Sequence, residues 1–237
     1  MLVRRVRSVL RRVPGLRYLW NIMYSVGYAA FDPWRHATRY DKVFVERVDP
    51  FQYTRAFEQE RHRIALGMIR ARVRCGASTV LEIGCAEGMF TKHLAMCAEV
   101  VLAIDYSETA IRRARAAVDN VNVAFRVADL RGSIPAGQFN VVIVMDVLSS
   151  FGRPWMMRRA LRRLRERVAD GGYLLVSDVR LDPSFERSWW CRLFLRGGWA
   201  IVNEAVHARG WVPQDLVVTD THVIGVAQRL HSPQSSR

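Results

Sequence analysis

Within the run VLEIGCAEGMF, the acids Glu82 and Glu87 stand in and beside a glycine turn at Gly84, Ala86 and Gly88. Asp105 follows 21 residues after Gly84, and Asp129 stands further on in RVADL. Glycines that end an aliphatic run let the backbone turn sharply and approach a ligand closely. Carboxylates accept hydrogen bonds from hydroxyls, exocyclic amines and ammonium groups, and they repel phosphate. An acid-flanked turn therefore suits a ligand that carries positive charge and no phosphate.

Two commoner uses of such a turn fail on spacing. A dinucleotide fingerprint reads G-x-G-x-x-G and leaves bare amides for pyrophosphate. Here the pattern is G-x-A-x-G with two acids close by. A phosphate-cradling P-loop needs G-K-[ST] after the turn, and none follows. S-adenosylmethionine fits instead: it offers an ammonium, a sulfonium, two ribose hydroxyls and an adenine. Asp105 is placed to accept from the ribose hydroxyls, and Asp129 from the adenine amino group, with the Leu130 amide facing a ring nitrogen. Gly84, Ala86 and Gly88 admit the methionine part, and Glu82 and Tyr106 complete this set.

These residues need strand ends to present them. STVLEIG, EVVLAID, VNVAFRVAD, QFNVVIVMD and GGYLLVSDV read as strands, and MFTKHLAMCA, SETAIRRARAAV and PWMMRRALRRLRERV as helices between them. Strand–helix alternation of this kind predicts a doubly wound, mostly parallel α/β sheet whose apolar strands are covered on both faces. LVVTDTHVIGVAQRL predicts two further strands meeting near Asp220 and Thr221, an antiparallel hairpin that brings the sheet to seven strands. A helix is expected from Phe57 to Val73. The division is a basic, partly amphipathic extension over 1–45, the main domain over 46–230 and a polar tail over 231–237.

In its three ordered strand-end motifs the chain resembles the class I S-adenosylmethionine-dependent methyltransferases. VLEIGCAEGMF is similar to their glycine motif, VLAIDYSETAIRRAR to their acidic second-strand motif and RVADL to their adenine motif. DPFQYTRAFEQERHR, followed by LEIGCAEGMFTKHLA, resembles the nodulation protein S-like group, with Phe51 in place of a common tryptophan and Phe57 of a common tyrosine. The resemblance implies a Rossmann-like methyltransferase fold and methyl transfer to N or O of a small molecule such as an aminosugar, a saccharide or a natural-product intermediate. It also implies Phe51, Tyr53, Phe57 and Arg61 around the cofactor's methionine end and the acceptor.

Methyl transfer is an in-line displacement, so the protein chiefly aligns the partners and handles a proton. Asp146, at the strand end in VMDVLSSF, is the first candidate for acceptor binding or proton removal and is counted with the cofactor set as well. Capping the next segment is its alternative role. His222 is the second catalytic candidate, with His207 and Asp178 behind it. Trp189, Trp190, Phe194 and Trp199, mixed with Arg187, Arg192 and Arg196, suit either an acceptor platform or the core of a helical lid.

Charge supplies the competing readings. The net charge of +14 is almost all arginine, with Lys42 and Lys92 the only lysines. Residues 1–31 carry six arginines and no acid, which suits a basic amphipathic helix at an anionic membrane surface or one packed on the domain. A lipid-linked acceptor would fit the first use. The arginine-lined helix around Met157, Leu161, Leu164 and Val168 raises an RNA substrate as the alternative. DNA-base methylation is disfavoured, because MDVLSSF lacks the [NDS]-P-P-[YF] and Pro-Cys motifs. The cysteines Cys75, Cys85, Cys97 and Cys191 show no metal-ligand pairing, so no metal is expected. Reduced thiols point to the cytoplasm, with the inner membrane surface as the peripheral alternative.

Overall fold

The structure, a computed structural model, describes residues 41–151, 153–181 and 197–231. The strands are β1 (Thr79–Ile83), β2 (Val100–Asp105), β3 (Val123–Val127), β4 (Phe139–Met145), β5 (Val168–Val179), β6 (Trp211–Val218) and β7 (His222–Arg229). They form one seven-stranded sheet in the order β3-β2-β1-β4-β5-β7-β6. β1 to β5 are parallel, while β7 runs antiparallel to both of its neighbours. The expected hairpin is present, and it folds back so that its second strand lies inside the sheet and its first forms the edge.

Alternation along each central strand builds two cores. Leu81, Ile83, Val142, Val144, Leu174 and Val176 face one side. Val80, Val101, Ala103, Ile143 and Leu175 face the other. The helices are α1 (Ala56–Arg70), α2 (Met89–Ala95), α3 (Glu108–Ala117), α4 (Pro154–Glu166) and α5 (Gly197–Val206). Residues of α1, α2 and α3 join the second cluster, and those of α4 and α5 the first. The expectation that every strand is covered on both faces fails at the edges, where most of β3 and β6 is open to solvent.

Local sequence explains the helices. α3 starts where the Ser107 hydroxyl accepts a hydrogen bond from the Ala110 amide at 3.1 Å, with Glu108 in the first turn to complement the helix dipole. Pro154 opens α4 at a position that needs no amide donor. Met157, Ala160, Leu161 and Leu164 then bury one face at helical spacing. Val168, expected to continue that stripe, instead begins β5, because α4 ends at Glu166. Several α4 arginines are engaged within the domain. Arg163 donates to the carbonyls of Arg131 and Gly132, Arg165 to those of Glu204 and Ala205, and Arg158 pairs with Glu204.

α1 spans Ala56–Arg70, close to the predicted helix. Before it, the helical segment 41–46 packs onto the domain, with Phe44 buried against Ala86 and Ala110. The Ser107 hydroxyl also donates to Asp41 at 2.7 Å. The amphipathic segment 1–31, the cluster of Trp189, Trp190 and Phe194 with its arginines, and Cys191 lie outside the described residues. Cys75, Cys85 and Cys97 are free thiols, and no described helix is long and apolar enough to cross a membrane.

Candidate functional site

Strand order reverses at β1, flanked by β2 on one side and β4 on the other, and a crevice must open where the following loops diverge. A cavity of about 330 Å³ occupies it. Gly84 and Ala86 after β1, Asp105 and Tyr106 at and after β2, Asp129 and Leu130 after β3 and Asp146 after β4 all line it. Phe44, Phe51, Tyr53 and Glu58 close it from the N-terminal side.

The turn is built tightly. Gly84 has φ +76°, and a Cβ there would overlap the Val147 side chain. The Gly84 amide donates to the Ile104 carbonyl at 2.7 Å. Asp105 ties the turn to the next strand, accepting from the Ala86 amide at 3.0 Å and the Ser107 amide at 2.9 Å. Burial pushes the Asp105 carboxyl up to about 6 against the pull of the Ser107, Ala86 and Tyr106 amides. Asp129 accepts from Arg131 through both oxygens, at 2.9 Å from Nε and 2.6 Å from Nη2. Burial raises its pKa, but the Arg131 hydrogen bonds and charge prevail and hold it below the usual value.

Several predicted residues stand apart from this cavity, Phe57, Arg61, Glu82, Gly88 and His222 among them. Gly88 does not line it; it caps α2 at φ +82°, and a Cβ there would press on Val118 and Ala114. Glu82 lies beneath the turn, where its Oε2 accepts from the Thr91 hydroxyl at 2.6 Å, and burial raises its carboxyl to about 7. It lines a second cavity of about 30 Å³, together with Arg61 and His62. This chamber and the large cavity share Tyr53, Gly84, Met145 and Asp146 as lining residues. Inside the protein, Arg61 Nε and His62 Nδ1 have no hydrogen-bond partner among the described residues. Burial first, then the Arg61 charge, depresses His62 to about 3.

Asp146 sits at φ +56°, the left-handed region that few non-glycine residues occupy. That turn directs its carboxylate to Arg61, whose Nη1 donates to Oδ2 at 2.5 Å. The Arg61 Nη2 is bonded to Glu58 Oε2. His222 Nε2 lies 3.3 Å from Asp146 Oδ2 and 4.0 Å from Glu58 Oε1. The His222 ring stacks against Phe57, with centroids 6.4 Å apart, and its Nδ1 is 2.9 Å from the Thr221 hydroxyl. The two catalytic candidates therefore meet. Asp178 does not line the cavity; fully buried, it accepts the Ser149 and Val179 amides and anchors the short turn Leu148–Ser150. Burial, then the Asp146 charge, raises it to about 7. His207 is exposed just after α5, bonded to the Asn203 carbonyl.

Sequence reasoning missed His62, and it missed Glu58. The only sequence signal of Glu58 is the i,i+3 spacing to Arg61, and such pairs usually lie on solvated helix faces. Here both members are buried.

The family described as nodulation protein S matches residues 41–203, more than half of the chain. The protein belongs to the nodulation protein S family. Nodulation protein S of Rhizobium tropici is 30% identical over 132 residues, 55% of this chain and 54% of that protein. Nodulation protein S of Sinorhizobium fredii strain NGR234 is 32% identical over 161 residues, 67% of this chain and 65% of that protein. The chain thus spans less than two thirds of the length of either. The crystal structure of N-methyltransferase NodS from Bradyrhizobium japonicum WM9, solved with S-adenosyl-L-homocysteine, aligns with a TM-score of 0.70 and 22% identity. That alignment covers 82% of this chain and 98% of the other, so the two share the Rossmann-like methyltransferase fold. The nodulation protein S match takes in the glycine turn, Asp105, Asp129 and Asp146, and it ends before His222.

Proposed function

We propose that this protein is an S-adenosylmethionine-dependent methyltransferase that methylates a nitrogen of a small molecule. One observation carries the reading: the Gly84 turn and the buried Asp105 carboxylate are hydrogen-bonded together at the wall of a single cavity. A fixed acceptor beside a close backbone approach suits a nucleoside with free ribose hydroxyls. The cofactor fit rests on this chain's own atoms. Asp105 and Tyr106 would hold the ribose, Asp129 and Leu130 the adenine, and Gly84 and Ala86 the thioether arm. The unpartnered Arg61 Nε and His62 Nδ1 suit a carboxylate at the methionine end, and Glu82 suits its ammonium.

When bound, the cofactor supplies an electrophilic methyl group on sulfur. The protein's part is alignment, exclusion of water and proton handling. Phe44, Phe51 and Tyr53 close the cavity toward the N-terminal side. An aliphatic amine reaches the site as an ammonium, and its lone pair must be freed before it can attack. His222 Nε2 is the base that takes this proton, and the Asp146 carboxylate stabilises the resulting imidazolium. That one of the family's solved members is named an N-methyltransferase supports nitrogen over oxygen.

Calorimetric titration with S-adenosylmethionine and S-adenosylhomocysteine tests the reading, alongside Asp105→Ala. Micromolar binding that is lost in the variant supports it, and a folded wild type that binds neither compound overturns it. An RNA acceptor has less support, since Arg158, Arg163 and Arg165 are engaged within the domain. A cytoplasmic location, and membrane contact through residues 1–31, belong to the same proposal; vesicle flotation with and without that segment tests the contact.

A further inference from the structure

The centre formed by Glu58, Arg61, Asp146 and His222 holds more acceptors than its own donors satisfy. Arg61 is 3% exposed and pairs with Glu58 through Oε2 and with Asp146 through Oδ2. Two carboxylates face one guanidinium, so their ionised forms carry one negative charge more than Arg61 balances; burial raises the Glu58 carboxyl against the pull of Arg61, and a bound cation would favour its ionised form. The Asp146 Oδ1 and the His222 Nε2 are both buried and have no hydrogen-bond partner among the described residues. His222 itself is only 2% exposed. Glu58 Oε1 is 4.0 Å from that same Nε2. In the tautomer that donates from Nδ1 to the Thr221 hydroxyl, the Nε2 lone pair is directed at the carboxylates. Glu58 and Asp146 both line the large cavity, where an acceptor molecule would sit, and His222 stands behind them, off its wall.

We propose that Glu58 is a specificity-determining residue that contacts the acceptor: with Asp146 and His222 it takes the acceptor as an ammonium and turns away anionic molecules. The inference rests on the methyltransferase reading for its biological sense, but its ligand chemistry is independent of it. A buried cluster with one excess negative charge gains most from a cation that can also donate several hydrogen bonds, and an ammonium meets both needs. Phe51 on the cavity wall and Phe57, stacked on His222, add aromatic surface that favours a cation over an anion. Arg61 acts as a positioning residue, holding one oxygen of each carboxylate and leaving the others for the ligand. A divalent metal ion is the competing occupant of the same three residues. The guanidinium already bonded to both carboxylates opposes it, because a dication there would meet a fixed positive charge within the same group.

The test uses the full chain saturated with S-adenosylhomocysteine and three probes of one shape: benzylammonium, benzyl alcohol and benzoate. Binding is followed by calorimetry and by the histidine signals in NMR spectra. Benzylammonium is expected to bind at least about tenfold more tightly than the alcohol, with benzoate weakest, a gap equivalent to about 1.4 kcal/mol. Glu58→Gln is expected to remove most of that preference, and Glu58→Asp to restore part of it, while S-adenosylhomocysteine affinity stays within about twofold in both. Equal binding of the alcohol or of benzoate overturns the proposal. So does a preference unchanged in a folded Glu58→Gln variant, or a divalent ion found at one equivalent by elemental analysis and lost in that variant. Failure of S-adenosylhomocysteine to bind would instead strike at the methyltransferase reading, since the three probes can also be ranked without it.

Discussion

Nε2 of His222 lies 3.3 Å from Oδ2 of Asp146, although the two residues come from strands with β5 between them. The reversed direction of β7 explains the meeting. Asp146 follows the carboxyl end of β4, and His222 opens β7 opposite Val179 at the carboxyl end of β5. An antiparallel strand thus delivers its first residue to the edge where the parallel strands deliver their last.

If this pair handles the acceptor's proton, His222→Gln should lower kcat by about 10²- to 10⁴-fold and leave cofactor affinity nearly unchanged. Steady-state kinetics with calorimetry for the cofactor separates the two quantities. Equal losses of kcat and cofactor affinity would assign His222 a structural role instead.

Gly84→Ala is expected to damage both stability and cofactor binding. The residue lies at φ +76°, and the added methyl group would overlap Val147. The backbone conformation alone costs about 1–3 kcal/mol for a non-glycine residue. Pairing it with Val147→Ala should recover part of the melting temperature by relieving the overlap, but not the backbone strain. A single variant that melts and binds like wild type would contradict this geometry.

Arg61→Leu removes the only guanidinium bonded to both Glu58 and Asp146 among the described contacts. Leaving the buried Glu58 carboxylate without its partner typically costs about 3–5 kcal/mol. Urea unfolding should show that loss at neutral pH, and less of it in acid, where the carboxyls protonate. Arg61→Lys should restore only part, because an ammonium cannot match the two-pronged geometry of a guanidinium.

Stability should fall as pH rises from about 5 to about 7.5. Burial raises Glu82 and Asp178 to about 7 and Asp105 to about 6, so the folded chain binds these three protons more tightly than the unfolded chain does. That stabilisation is present in mild acid and is lost as pH climbs through these values. His62 acts in the opposite sense: depressed to about 3, it favours the folded state above its ordinary pKa and loses that contribution as pH falls. Glu58, also raised by burial, adds to these three, and four carboxyls against one histidine set the net direction. Glu82→Gln should flatten the slope, as measured by denaturant midpoints across the range.

Much of the architecture was legible in the sequence because apolar strands and turn residues announce themselves locally. The run VLEIG with Gly84 beyond it names a strand and its exit, and Asp105 and Asp129 sit at strand ends that the same pattern defines. Covered and edge strands were not separable, since VAFRV in β3 is as apolar as its neighbours and only pairing on one side leaves it exposed. The place of β7 between β5 and β6 was equally hidden, because a hairpin's sequence does not say which strand turns inward. That placement decides whether His222 reaches Asp146. Glu58 was lost for a similar reason: on a helix, Glu-x-x-Arg reads as a surface pair, and only tertiary packing buries it.

The inward placement of β7 also bears on the order of assembly. A ribosome releases the glycine turn, Asp105, Asp129 and Asp146 well before the hairpin that begins at Trp211. Until that hairpin docks, β5 is left with an unpaired flank open to stray strands, and the nascent domain has its nucleoside wall without its histidine. If His222 takes the acceptor's proton, competence for that transfer is the last property the growing chain acquires.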